Sequence, residues 1–154
     1  MSRLLTPVLL VSTLALGACG GGGDSGPTRK EWAGKINAIC RENRASLQRL
    51  SSQVRSQGLP PNETAATVLE KSVPVENKLL GRLREVEAPD DLSAPYERFL
   101  DRVEDTVPLL DRTADNLRAK RQDPELTTEF AQIAADTRPF ATDNGLTACL
   151  PDAN

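Results

Sequence analysis

Histidine is absent from all 154 residues. That removes the commonest general base at neutral pH, the usual nucleophilic triads and the histidine-bearing zinc arrangements. Also missing are Gly-x-Ser-x-Gly, Gly-x-x-x-x-Gly-Lys and Cys-x-x-Cys-His, so no nucleophile elbow, phosphate loop or haem-attachment site is present. No basic cluster stands out in a chain of net charge -3, and nucleic acid is excluded as an expected partner. No apolar run reaches the ~20 residues that span a bilayer. Catalysis by carboxylates or lysines remains open to the chain in principle, and no spacing recommends it. The chain is therefore expected not to be an enzyme and to need neither cofactor nor metal.

What is present begins with the leader. Arg3 precedes an apolar stretch over 4–16, and the small residues Gly17 and Ala18 lead to Cys19 and a glycine run. This is the order of parts in a secretory signal. The four residues Leu16-Gly17-Ala18-Cys19 resemble the bacterial lipobox. The resemblance implies a diacylated Cys19 thiol, cleavage in front of it, and a lipidated first residue; an ordinary signal that happens to end near a cysteine is the alternative. The expected organisation is a lipoprotein signal peptide over 1–18, the lipidated Cys19 with a glycine-rich tether over 19–27, and a folded domain over 28–154. With ~0.8 kcal/mol per buried methylene, two or three palmitate-type chains would hold the protein durably on the extracytoplasmic face of the membrane. Gly20 is not an Asp-type retention signal, so in a two-membrane cell the outer membrane is the expected site.

Once Cys19 is acylated, Cys40 and Cys149 are the cysteines left, in a compartment where disulfides persist. They are expected to pair, tying the first helix to the C-terminal tail. A pair of thiols serving metal or redox chemistry is the competing reading, although the two are far apart in sequence and no Cys-x-x-Cys occurs.

The domain reads as helical throughout. Over 28–57 the apolar residues Trp32, Ile36, Ile39, Cys40, Leu47, Leu50 and Val54 follow a helical stripe, after a Thr28/Glu31 capping-box pattern. A second stripe covers 62–86 and a third 93–121. Asp123-Pro124 marks the start of a shorter fourth helix. Short connections between long amphipathic segments predict an all-α, antiparallel four-helix bundle. Pro74, Pro108 and Pro139 fall inside three of the predicted helices and are expected to kink them rather than divide them.

Several residues invite a functional reading. Asp101, Glu104, Asp105, Asp111 and Asp115 share one side of the third helix, but one helix spreads carboxylates along a line and does not converge them on a cation. A solvated face is the expectation. Asn43 and Glu76 project into apolar stripes, and a buried carboxylate needs a partner or a raised pKa. They are read either as register-setting core residues or as the wall of a ligand pocket. Trp32 is expected in the core rather than at the membrane interface, and Asn62-Glu63-Thr64 reads as a helix start.

With Trp32 and Cys40 in the first helix, Pro89, Asp90, Leu92, Tyr96 and Phe99 around a turn and an aromatic helix, and Gly145, Leu146 and Cys149 at the end, the chain resembles a loose group of small actinobacterial lipoproteins of unknown function. The resemblance implies a helical domain pinned by Cys40 and Cys149, and it supplies no activity. The function expected is a non-catalytic, lipid-anchored extracytoplasmic module that binds an envelope protein or has a structural role. A small-ligand carrier or sensor with a pocket at Asn43 and Glu76 is the alternative.

Overall fold

Thr28 opens the first helix as the sequence predicts. Its Oγ1 accepts from the Glu31 amide at 3.3 Å, and the Glu31 carboxylate accepts from the Thr28 amide at 3.1 Å, which satisfies two amides that the helix itself leaves unpaired. The computed structural model describes residues 26–150. The leader, Cys19 and most of the tether lie outside the described residues, as do 151–154.

Helix α1 runs Arg29–Arg55 and ends before Gly58, which takes a left-handed φ of 69°. Helix α2, Pro61–Arg84, begins on a proline at its first position, one residue before Asn62. A 3-10 turn, Asp90–Leu92, leads into α3, Ser93–Glu104. The single third helix expected over 93–121 is broken at Asp105, and α4 covers Thr106–Arg118. Pro108 explains the break: it has no N–H for the Glu104 carbonyl, and its ring crowds that carbonyl. In the first turn of a new helix neither conflict arises. Pro74 and Pro139, by contrast, sit inside the continuous helices α2 and α5. Helix α5, Pro124–Asp143, is capped by Asp123, whose Oδ1 accepts from the Glu125 and Leu126 amides.

These helices form four antiparallel arms, with α3 and α4 making up the third. Helix α2 packs against α1 and also against α3 and α4, and α5 closes on α3 and α4. Buried Ala66 and Ala114 lie in α2 and α4, the two helices whose backbones approach most extensively. The architecture is all-α, as the helical periodicity predicts.

The aromatic core lies at the end of the bundle where α1 begins. Trp32 is fully buried and meets Tyr96 edge-on, with ring centroids 5.1 Å apart, while Phe140 packs on both Trp32 and Phe99. Four of the five aromatic residues thus sit in one cluster with Ile36, Leu83 and Leu146. Phe130 joins Leu109, Leu126 and Ile133 in a smaller cluster between α4 and α5.

Helix α5 ends in a Schellman motif. The Leu146 amide donates to the Ala141 carbonyl at 2.8 Å and the Gly145 amide to Thr142 at 3.1 Å, around a left-handed Gly145. The turn drives Leu146 into the aromatic core, and the chain continues through a terminal 3-10 turn, Thr147–Cys149, against α1.

Candidate functional site

Asn37, Cys40 and Arg44 recur at steps of three and four along α1 and so share one stripe of its surface. The terminal turn docks on that stripe. Asn37 Nδ2 donates to the Gly145 carbonyl, and Asn37 Oδ1 accepts from the Ala148 amide, both at 2.8 Å. Cys40 forms a disulfide with Cys149, with Cα atoms 5.1 Å apart across 109 residues of sequence. The Arg44 guanidinium donates to the carbonyls of Ala148 and Leu150 at 3.1 and 2.8 Å. The sequence marked only the cysteine of this stripe. Asn37 and Arg44 would have been legible as its companions once Cys40 was assigned to the tail, because they flank it by about one helical turn.

Beside the docked turn is a cleft of about 350 Å³, walled by Leu47, Leu79, Phe99, Val103 and Leu150. Asn43 and Glu76 both line it. The structure brings the two together: Asn43 Nδ2 donates to Oε1 and Oε2 of Glu76 at 3.3 and 3.4 Å. Both side chains are half-buried. Removal from water pushes the Glu76 carboxyl above its usual pKa, and the hydrogen bond from Asn43 opposes that only in part. The pair is thus a polar spot in an apolar wall, joining α1 to α2 at one register.

The acidic set of the third arm has been dispersed into ion pairs and solvent. Arg84 binds Asp101 at 3.1 Å and Glu104 at 2.7 Å, and Arg102 binds Asp105 and Asp136, each at 2.8 Å. Asp111 and Asp115 point to water. Among the described residues no group of three or more acidic or cysteine side chains is gathered as a metal would need. Trp32 is in the core, and its Nε1 has no hydrogen-bond partner among the described residues. The edge-on approach to Tyr96 sets the indole against a ring instead.

A wider groove of about 850 Å³ runs between α4 and α5 over Pro108, Leu109 and Ile133. Its rim carboxylates are engaged: Glu129 lies 2.8 Å and Glu125 3.6 Å from Arg112, which also binds Asp123 at 3.0 Å. Among the described residues no helix is long and apolar enough to cross a membrane. Compared with protein-family models, with curated proteins and with solved structures, the chain matches none.

Proposed function

We propose that this protein is a non-catalytic, lipid-anchored extracytoplasmic module: a helical body held at the cell envelope by acyl chains on Cys19, where it binds an envelope protein or serves structurally. The observation that carries this reading is Leu16-Gly17-Ala18-Cys19 between an apolar leader and a glycine run. The Cys40–Cys149 disulfide supports it, because such a bridge persists in an oxidising compartment. Mass spectrometry of the N-terminal peptide from envelope-extracted protein tests it. The expected result is a peptide beginning at Cys19 with acyl mass, and loss of the protein from the membrane fraction in the Cys19→Ser variant. Recovery of a processed chain in the culture fluid with an unmodified Cys19 overturns it.

A second reading is favoured by one observation, the desolvated Glu76 in an apolar cleft. In that reading the module carries a small amphiphile whose polar group meets Glu76 and Asn43 and whose apolar part lies along Leu47, Leu79 and Phe99. Native mass spectrometry of the extracted protein should then show a bound molecule that the Glu76→Leu variant loses. The same bound mass on both proteins, or none on either, counts against it.

A further inference from the structure

Two charged side chains, Arg44 and Glu76, belong to the wall of the cleft beside the docked terminal turn. The fold provides for them unequally. The Arg44 guanidinium is turned to the chain end, where it donates to the carbonyls of Ala148 and Leu150. Glu76 has no comparable match. It makes no ion pair with a described residue, and the groups that act on its ionisation are the surrounding burial and Asn43, with no cation among them. The two bonds from Asn43 are long, at 3.3 and 3.4 Å, and both come from the single Nδ2. One amide nitrogen thus serves a carboxylate that has room for about four donors. The Oδ1 of the same Asn43 accepts from no described residue. Beside this pair Leu47, Leu79, Val103 and Leu150 are each only partly covered. The cleft therefore offers unused acceptors, one of them charged, next to incompletely buried hydrocarbon.

We propose that the cleft takes a primary alkylamine, its ammonium against Glu76 and Asn43 and its hydrocarbon along Leu47, Leu79 and Phe99. The inference rests on the small-ligand carrier reading and names the class of molecule carried. An ionised carboxylate half removed from water is stabilised most by a group that brings charge and donors together, because charge-assisted hydrogen bonds are roughly twice as strong as neutral ones. A primary ammonium brings three N–H donors and no acceptor. The acceptors waiting for them are the two Glu76 oxygens and Asn43 Oδ1. Each neighbouring class of amphiphile lacks one of these properties: an alcohol has a donor without charge, a quaternary ammonium has charge without a donor, and a fatty acid sets a second carboxylate beside the first. Arg44, held by the carbonyls of the tail and absent from the groups that act on Glu76, does not compete for the carboxylate. A volume of about 350 Å³ is at the small end of ligand sites, so the chain carried is a short one.

The test is calorimetric titration of the envelope-extracted protein, held in phosphatidylcholine nanodiscs, with n-hexylamine, n-hexanol and n-hexanoate at neutral pH, the heats of empty nanodiscs being subtracted. Salt is kept at about 0.5 M, where the Debye length is about 4 Å and general attraction of a cation to the acidic exterior is screened. The amine is expected to bind about tenfold or more tightly than the alcohol, and the hexanoate most weakly. Glu76→Gln keeps an acceptor for Asn43 and removes the charge, so it should abolish the difference between amine and alcohol. Emission of the buried Trp32 reports whether the variant is folded, and the ranking of the three ligands on the parent protein decides without it. Equal affinities for the amine and either competitor, or a preference for the amine that survives Glu76→Gln, overturns the inference while the carrier reading stands. Binding of none of the three defeats the carrier reading and the inference with it.

Discussion

Glu76 is the residue whose ionisation runs against the fold. Its folded pKa lies above the unfolded value, so the native state holds a proton more readily than the unfolded chain does. Between the unfolded and folded pKa values stability falls as pH rises, and at neutral pH the charged form carries its full desolvation cost. Glu76→Gln keeps an acceptor for Asn43 Nδ2 and removes the charge. Urea denaturation should show the variant more stable than the parent at pH 7, by up to about 1 kcal/mol, with the gain vanishing at pH values below the ordinary carboxylate range. A loss at pH 7 would mean that the carboxylate is engaged by more than Asn43. The opposite sign belongs to Glu70, which the Arg118 guanidinium holds below its usual pKa, so its contribution is lost as pH falls. Tyr96 shows another way to bury a polar group. Burial drives its pKa up, and the hydroxyl stays protonated and donates to the Leu83 carbonyl at 2.9 Å.

At the scale of elements, helix ends decide the path of the chain. Helix α4 finishes in the same Schellman geometry as α5: the Arg121 amide donates to the Asn116 carbonyl at 2.9 Å and the Lys120 amide to Leu117 at 3.2 Å. The residue that must turn left-handed here is Lys120, with φ 52°, rather than glycine. A Cβ in that region costs about 1 kcal/mol. Lys120→Gly should therefore raise the urea midpoint by the equivalent of about 1 kcal/mol, while Lys120→Ala, which keeps the Cβ, should leave it nearly unchanged. Equal effects of the two substitutions would show that the side chain's charge or contacts govern the site. The Pro108 break works by the same logic at the other end of α4, because starting a new helix there avoids the clash and unpaired carbonyl of an interior proline.

For the whole molecule, the disulfide governs how firmly the two chain ends hold the aromatic end of the bundle. It closes a loop of 109 residues, for which the chain-entropy model gives about 4–5 kcal/mol. Replacing Cys40 and Cys149 together by alanine should remove most of that. The single tryptophan is buried at the same end, so its emission follows the transition directly. A loss below about 1 kcal/mol would mean that Asn37, Arg44 and Leu146 dock the tail without covalent help.

The apolar periodicity, Thr28 and Asp123 by themselves determined that the domain is helical and where α1 and α5 begin, because caps and stripes are local and each is written in a few consecutive residues. The pairing of Cys40 with Cys149 was legible for a different reason, since the leader predicts export and two thiols left in an exported chain have few alternatives. The break at Asp105 was harder to see, because the apolar register runs through Pro108 unbroken and an interior proline is compatible with either a bend or a new start. The contact of Asn43 with Glu76, the apolar cleft around them, and the docking of the terminal turn by Asn37 and Arg44 belong to tertiary structure alone. They join residues tens of positions apart, and no local pattern records which helix face meets which.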